Sequence, residues 1–340
     1  MSVLESFFSL GASELLGSDN QLVKLNELMN WSRFRRHLHG IHLNDSNPRG
    51  GQKGHDTLKM LKATLLGQWH NLSDRELAHS LRVRIDFMVF SGFELGDAFP
   101  DSSTLCRFRV KLFEQNRAQK IFKEVNKQLC ALGIDIETTH GAVVDATIIS
   151  SSNRPKRTID VEAIAQDRDE LSTPQDYFEV HDSADGDARW LKKGSQSYFG
   201  YKGFISVDRD YGFIQSVHTT PANAYEAHEL DRVIDGLEVE AVYADKGYAT
   251  AQNRTQIKAR KMKSRIMHKA KRGHPLTHWQ KQHNRLISKY RYIVEQCFGT
   301  LKRRFDMHRA RYAGLTKVQG QLTLKSCCFN LLKAVNMMPA

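Results

Sequence analysis

Cysteine, proline and long apolar runs are scarce in this sequence of 340 residues. The five cysteines form no CxxC pair, which argues against a disulfide framework and against a zinc ribbon. No apolar run approaches the roughly 20 residues that a membrane-spanning helix needs. The first residues contain Glu5 and lack a cationic start, so they make a poor signal peptide. We therefore expect a reduced, cytoplasmic protein.

Acidic residues are nearly absent from one long segment. Between Ala251 and Tyr312 the chain has 18 Lys and Arg against two acids, Glu295 and Asp306, a balance of +16. The remainder carries 32 basic and 36 acidic residues, so the net charge of +12 belongs to this segment. Basic charge concentrated in one segment is typical of a surface that binds a polyanion. The hydrophobic share of 40% indicates a globular protein.

The amino-terminal part of the chain is predicted to be helical. Apolar residues recur at helical spacing over 57–70, and Ser73-Asp-Arg-Glu76 has the capping-box pattern that opens a second helix through Leu81. A further helix is predicted from about Pro100 to Phe122 or beyond. This succession is typical of a helix-turn-helix DNA reader, but a helical bundle that dimerises or braces the next domain fits it equally well.

An α/β pattern follows from residue 136. Apolar, β-branched residues at 141–149 and 238–244 predict two buried strands. Residues 198–208 and 212–219 predict a β-hairpin, and residues 264–268 a further short strand. Helices are predicted over 222–237, over 250–260, over a long proline-free stretch that contains Glu295, and over an apolar segment, 318–335, that packs in the core.

Two acids lie on or directly after the predicted buried strands. Asp145 interrupts a run of Val and Ile, where a carboxylate is costly unless it is paired or bound to a metal. Asp245 follows strand 238–244, at the carboxyl end where α/β sheets place working residues. The alternative for Asp245 is an ordinary helix cap or turn residue.

A third acid, Glu295, lies between two cations on the long helix. At roughly 100° per residue, Arg291, Glu295 and Lys302 fall within about 40° of one another. An isolated Glu in a basic helix is most often a solvated partner of an Arg four residues away. Together with the two strand acids, however, it forms a set of three carboxylates that can hold two metal ions for phosphoryl transfer. Hard oxygen ligands without a Cys or His cluster favour Mg²⁺ or Mn²⁺ over zinc.

At these residues the chain resembles the DDE transposases of bacterial insertion sequences, most closely the IS5 family within the IS4-like group. The matching motifs are Val144-Asp-Ala-Thr147, Tyr243-Ala-Asp-Lys-Gly-Tyr248 and Arg291-x3-Glu295-x6-Lys302. Further similar segments are Leu72–Leu77, Phe99–Thr104 and Arg311–Lys317, so the resemblance spans nearly the whole chain. The group's signature places a Tyr three residues before its Arg, where this chain has Ser288; Tyr290 directly precedes Arg291.

The resemblance implies an α/β fold with an RNase H-like mixed-sheet catalytic core in residues 136–340. An all-helical DNA-binding and dimerisation region with helix-turn-helix character would precede it, in residues 1–135. Residues 159–189, rich in acids, are expected to form a surface insertion. The short gap between the second and third acids leaves out the strand-rich insertion domain that some relatives carry there.

The resemblance also implies the roles of individual residues. Asp145, Asp245 and Glu295 would be the catalytic ligands of two Mg²⁺ or Mn²⁺ ions. Contacts to DNA are expected from Arg291 and Lys302 and from the cations beside the motifs, namely Lys246, Arg303 and Arg304.

The predicted activity is that of a bacterial, nucleoid-associated transposase. It would bind the terminal inverted repeats of its element, cut their 3′ ends and join them to target DNA. Because two DNA ends must meet, we expect a homodimer or larger assembly on DNA, with no membrane and no small-molecule substrate. Two alternatives are a nuclease of the same fold that cuts without joining, and an inactive element-derived DNA-binding protein.

Overall fold

A computed structural model describes residues 7–41, 54–134, 136, 139–155, 158–159, 180–181 and 183–337. Its α-helices are α1 (Phe7–Leu16), α2 (Gln21–Leu28), α3 (Arg35–Leu38), α4 (Thr57–Trp69), α5 (Asp74–Val83), α6 (Ile85–Ser91), α7 (Ser102–Glu114), α8 (Arg117–Ala131), α9 (Leu230–Val233), α10 (Ala251–Ala259), α11 (His278–Arg303) and α12 (Leu315–Met337). Its strands are β1 (Ala142–Ser150), β2 (Thr158–Ile159), β3 (Val180–His181), β4 (Arg189–Lys193), β5 (Gln196–Asp208), β6 (Ile214–Pro221), β7 (Ala241–Ala244) and β8 (Lys263–Ile266).

Helices α4 and α5 begin at capping side chains, and the capping box of α5 is the one that the sequence predicts. Asp56 accepts hydrogen bonds from the amides of Leu58 and Lys59 at the start of α4. At α5 the full capping box forms between Ser73 and Glu76, whose side chains each accept the other's backbone amide. These bonds satisfy amides that the first helical turn leaves without partners. The predicted helices over 57–70 and from 73 onward are thereby confirmed.

The prediction of one continuous helix from Pro100 to Phe122 is wrong, because two helices form there. The first, α7, begins at the predicted place, where Asp101 accepts the amide of Thr104 at 2.7 Å. It ends at Glu114, and α8 starts only after Asn116, whose φ of 52° lies in the left-handed region. Asn adopts this conformation more readily than most residues, and a residue in it stops the helical hydrogen-bond ladder.

Six strands form one mixed sheet. The strand order is β4-β5-β1-β7-β8, and β6 also pairs with β5. Strand β1 is antiparallel to β5 and parallel to β7, which is in turn parallel to β8. The predicted hairpin is confirmed as the antiparallel pair β5 and β6. The carboxyl ends of β1, β7 and β8 therefore meet at the same edge of the sheet.

Each face of the sheet packs against a different apolar cluster. On one face Val143 and Ile149 of β1 join a large core that includes residues of α4, α7, α8, α11 and α12. On the other face Ala142 and Val144 pack with residues of α9 and α10. Burial on both faces explains why the strand is continuously apolar in sequence.

Helix α12 joins the sheet to the amino-terminal helices, as the prediction that 318–335 packs in the core requires. Its Asn330, which is 0% exposed, accepts the amide of Ile214 in β6 at 2.9 Å and donates to Asn126 of α8 at 2.8 Å. The segment before α12 makes a similar link, because Arg109 of α7 stacks on Tyr312 with its guanidinium carbon 3.9 Å from the ring centroid. The large core is thus continuous between the helical region and the sheet.

The helix predicted over 222–237 is wrong in its extent, because only residues 226–233 are helical. Only a 3₁₀ turn (Glu226–Glu229) and the four-residue α9 form there. Side chains from elsewhere take two of the carbonyls that a longer helix needs: Lys202 Nζ donates to Ala224 O at 2.7 Å, and Asn253 Nδ2 donates to Ala227 O at 2.9 Å. These tertiary hydrogen bonds outweigh the local helical pattern.

Most of the predicted acidic insertion over 159–189 lies outside the described residues, which leave out 160–179 and 182. Within the described ranges no helix combines the length and the apolarity required to cross a bilayer.

Candidate active site

Asp145 lies within β1, and Asp245 directly follows the adjacent parallel strand β7. Val144 of β1 pairs with Ala244 of β7, so the next residue of the chain after each of them is one of the two acids. Neighbouring strands run about 4.8 Å apart, which brings the two carboxylates together where β7 ends. Each is also oriented by a backbone amide: Asp145 accepts from Ala146 N at 2.8 Å and Asp245 from Lys246 N at 2.6 Å.

Helix α11 brings Glu295 and Arg291 to the same place. Arg291 Nη2 lies 3.3 Å from Asp145 Oδ2 and 3.5 Å from Glu295 Oε1, and Nη1 lies 3.8 Å from Asp245 Oδ1. One guanidinium therefore touches all three carboxylates. The structure brings the three sequence-predicted acids together around a cation, although they are widely separated along the chain.

Burial and charge act against each other in this cluster. Burial raises the pKa of Asp145 above its usual value, and the amide of Ala146 and the charge of Arg291 offset only part of that rise. For Arg291, burial lowers the pKa, but attraction to Asp145 and then to Asp245 outweighs it and leaves the pKa raised. Arg291 is thus held in its charged form by the carboxylates that it neutralises.

Two groups beside the acids, Tyr248 and Glu226, were not predicted from the sequence to be part of the site. Tyr248 is 0% exposed and its hydroxyl has no hydrogen-bond partner. Burial, followed by the charges of Asp145, Glu226 and Asp245, raises the pKa of this phenol well above its usual range. Glu226 is paired with Lys202, at 3.3 Å between Nζ and Oε1. The only sequence signal for these groups is that Tyr248 ends the matching motif that contains Asp245.

The cations that we expect to contact DNA differ in their exposure and in their position relative to the acids. Lys246 directly follows Asp245 and is exposed. Lys302 lies two turns of α11 beyond Glu295 on the same side, and burial, followed by repulsion from Lys193, lowers its pKa. Arg303 and Arg304 are exposed at the end of α11, where Arg304 Nη2 lies 3.4 Å from Gln21 Oε1 of the helical region.

Tyr290 and Ser288, where the chain departs from the family signature, also differ in surroundings. The ring of Tyr290 packs against Tyr243 of β7 with ring centroids 4.9 Å apart, and the guanidinium of Arg209 lies 5.3 Å from its centroid. Ser288 is exposed and donates to Arg285 O at 2.9 Å. Tyr290 therefore helps to seat α11 on the sheet beside Asp245.

The residues of this cluster suit a divalent cation in their chemistry. All three acids offer carboxylate oxygens, the ligands that Mg²⁺ and Mn²⁺ prefer. The buried, unpartnered hydroxyl of Tyr248 is available to a ligand or its water shell. Among the described residues no three His, Cys, Asp or Glu side chains are close enough to hold a metal ion, and Arg291 lies among the three acids.

Comparisons with known proteins give two family matches, one sequence relative and one structural likeness. Residues 139–331 match the family model described as transposase DDE domain, and residues 12–111 match the one described as transposase domain (DUF772). The chain is 41% identical over 235 residues to the transposase for insertion sequence element IS1106 of Neisseria meningitidis serogroup B, which covers 69% of this chain and 78% of that protein. A cryo-EM structure of the piggyBac transposase synaptic complex with hairpin DNA aligns with a TM-score of 0.45 and 9% identity, over 99% of this chain and 76% of that one.

The DDE domain match covers more than half of the chain. It implies an RNase H-like core, in agreement with the mixed six-stranded sheet, and the use of divalent metal by the enzyme. Together with the helical amino-terminal region and the likeness to an insertion-sequence enzyme, it identifies the chain as a member of the DDE transposase family.

Proposed function

We propose that this transposase binds the terminal inverted repeats of its own insertion sequence, cuts the 3′ ends and transfers them to target DNA. The observation that carries the proposal is the meeting of Asp145, Asp245 and Glu295 around one guanidinium where β7 ends. The motif spacing that resembles the IS5 family supports placing the element in that group. The relative with 41% identity is itself named as an insertion-sequence transposase.

In this proposal the three acids hold two Mg²⁺ or Mn²⁺ ions, which would supply charge stabilisation and an activated nucleophile for in-line phosphoryl transfer. The chain's own groups position the reaction. The strand pairing of β1 with β7 fixes the spacing of Asp145 and Asp245, while the seating of α11 on the sheet fixes Glu295. The buried Tyr248 excludes bulk water from the floor of the site.

In this proposal Arg291 binds first the three acids and then the DNA. Without metal its guanidinium neutralises the acids, and with metal and DNA present it is free to bind a phosphate oxygen of the strand being cut. Guanidinium groups bind carboxylate and phosphate with similar geometry, so this exchange needs only a side-chain movement. Lys302, Lys246, Arg303 and Arg304 would hold the flanking phosphates, and this sequence-independent attraction supplies much of the affinity for DNA.

We propose the division of labour that the sequence predicts. Residues 1–135 would bind the inverted repeats and contribute to a dimer or larger assembly, and residues 136–340 would carry out the chemistry. Helix α12 and the stacked pair of Arg109 and Tyr312 support a fixed placement of the first region on the second.

The test is cleavage and joining of a labelled DNA that carries the element's own ends, in Mg²⁺ or Mn²⁺. The wild-type protein is expected to give nicked and joined products, and Glu295→Gln to give neither while it unfolds like the wild type. Because the Glu295 side chain is 60% exposed, the substitution leaves the core intact. Glu240→Gln, which changes another 60% exposed carboxylate that lies next to His140, is the matched control and should retain activity.

Three other outcomes would contradict the proposal. Joined products from Glu295→Gln would show that Glu295 is not part of the catalytic site. Nicked but never joined products from the wild type would indicate the nuclease, and salt-dependent binding without any product would indicate an inactive DNA-binding protein.

A further inference from the structure

A hairpin formed by β4 and β5 carries basic residues that lie outside the basic segment 251–312. Lys193 of β4 pairs with Gln196 of β5, so a two-residue turn joins the strands, and Gly194 in that turn has a φ of 63°. A tight two-residue hairpin turn requires a left-handed residue at this place. Residues 192–197 are all exposed. We call these six residues the hairpin tip.

The hairpin tip has basic charge and no acid beside it in the sequence. Residues 189–207 contain four Lys and Arg and no Asp or Glu. One of the four, Lys202, is buried and lies 3.3 Å from a carboxylate oxygen of Glu226. Lys192 and Lys193 are exposed, and no carboxylate in the described part of the chain forms an ion pair with either of them. The tip therefore presents two ammonium groups to solvent.

An exposed arginine adds to this charge. Arg154 follows the carboxyl end of β1, and its guanidinium carbon lies 5.0 Å from the ring centroid of Trp190 in β4. The indole packs in turn on Phe199 of β5, with ring centroids 5.3 Å apart. Three exposed cations, Arg154, Lys192 and Lys193, thus lie on or beside one hairpin.

Helix α11 connects the hairpin tip to the acids of the site. Lys302 comes seven residues after Glu295, which is about 10 Å further along the helix and on the same side of it. Its ammonium group is near that of Lys193, because burial, followed by repulsion from Lys193, lowers the pKa of Lys302. A distance of about 10 Å corresponds to roughly three base pairs of duplex DNA. DNA that follows α11 from the acids towards its carboxyl end therefore passes the hairpin tip.

The approach of Lys193 to Lys302 is unfavourable in the protein alone. Two like charges repel each other unless an anion lies between them. Elsewhere this chain pairs a lysine with a carboxylate, as Lys59 lies 2.6 Å from Asp97. A phosphate group of DNA would supply the counter-charge that the described residues do not supply to Lys193 and Lys302. Cations gathered without acids are typical of a surface that binds a polyanion.

We propose that the hairpin tip binds the phosphate backbone of duplex DNA about three base pairs from the phosphate at the acids, with Lys193 and Lys302 on one stretch of that backbone. The inference rests on the proposed function, since it takes DNA as the substrate of the acid cluster. It adds a contact on one side of the cut only. Contacts to phosphate carry no sequence information, so the hairpin tip fixes the position of the DNA and does not read its sequence.

The test is a salt titration of DNA binding in the presence of a chelator, so that no cleavage occurs. The probe is a fluorescent duplex that carries the element's end and extends on both sides of the cut. Lys193→Gln is expected to reduce the slope of log affinity against log salt by about 0.9, the value for one phosphate contact, and the double variant with Lys302→Gln by about twice as much. Lys193→Arg should keep the slope.

The matched control is Lys258→Gln, which removes an exposed cation of α10 on the other face of the sheet and should also keep the slope. Two shortened duplexes then locate the contact, each ending about two base pairs from the cut on one side, short of the roughly three that the hairpin tip requires. The difference between wild type and Lys193→Gln should vanish with one of them and persist with the other.

An unchanged slope in Lys193→Gln would overturn the inference, and so would a difference that both shortened duplexes keep or both lose. Urea unfolding gives an independent check. Lys193→Gln removes a repulsion and should unfold at a midpoint no lower than wild type, whereas a lower midpoint would show that this lysine stabilises the fold and would also overturn the inference. The proposed function fails by a separate result, the absence of cleavage and joining by wild type with Mg²⁺.

Discussion

Arg291 Nη2 lies 3.3 Å from Asp145 Oδ2, although 146 residues separate them in the chain. The guanidinium therefore neutralises part of the charge of the carboxylates. Under the proposed function it would compete with a metal ion for them, and metal binding would exchange one cation for another.

Removal of this arginine should therefore destabilise the metal-free protein. In Arg291→Ala the three carboxylates face one another without a counter-ion, and we expect the free energy of unfolding to fall by about 1–3 kcal/mol. Mg²⁺ should restore more stability to the variant than it adds to wild type, since no guanidinium has to be displaced. Urea unfolding with chelator and with Mg²⁺ checks this, with Arg285→Ala on the exposed side of α11 as the control. Equal responses to Mg²⁺ would refute the competition.

Lys302 should contribute one phosphate contact. We expect Lys302→Gln to weaken DNA binding for all sequences alike, and to reduce the slope of log affinity against log salt by about 1. Lys302→Arg keeps the charge and should keep the slope. The measurement is a salt titration of DNA binding by anisotropy, and an unchanged slope in Lys302→Gln would show that this side chain does not reach the DNA.

The packing of α12 against α7 depends on the absence of a side chain at Gly320. At Gly320 a Cβ would overlap the ring of Phe113, so Gly320→Ala should lower the free energy of unfolding by about 1–3 kcal/mol despite the better helix propensity of alanine. A Cβ at Gly11 of α1 meets nothing within 4 Å, so Gly11→Ala should be neutral or slightly stabilising. Chemical denaturation measures both, and Phe113→Leu should recover part of the loss. A Gly320→Ala variant as stable as wild type would contradict this packing.

A buried lysine should make stability depend on pH. Lys62 is 8% exposed, and burial lowers its pKa from 10.5 to about 7. Between these two values the unfolded chain binds the proton that the folded protein has released, so stability rises with pH in this window. From about pH 7 to pH 9 the gain from this group is on the order of 2 kcal/mol.

Lys62→Met should remove that gain and leave the smaller rise that comes from Lys325, whose pKa burial lowers to about 8. Urea unfolding at several pH values above neutrality compares the two proteins. If both slopes were the same, Lys62 would have to be solvated in solution.

The sequence was most informative where a local pattern and its tertiary surroundings agree. The Val and Ile run around Asp145 predicts a strand, and burial on both faces of the sheet is the reason it is one. The capping box at Ser73 likewise acts through neighbours within one turn. Helical spacing placed Arg291 beside Glu295, and that prediction needed only the geometry of one helix.

Contacts between distant segments could not be predicted in this way. The segment after Pro221 has a helical pattern, but Lys202 and Asn253 bind its carbonyls, and no local rule contains them. The unpartnered hydroxyl of Tyr248 is a property of the folded site and has no sequence signal beyond a motif match. The contact of one guanidinium with all three acids depends on strand register and helix seating together.

The position of α12 in the core has a consequence for shortened copies of the chain. This helix comes after every other described element, and its side chains fill the space between the amino-terminal helices and the sheet. A frameshift or stop codon shortly before Leu315 would keep all three acids of the site while it leaves apolar surfaces open on both sides. Such a product should be cleared by proteolysis or aggregate, so late truncations are expected to silence an element as completely as loss of Glu295.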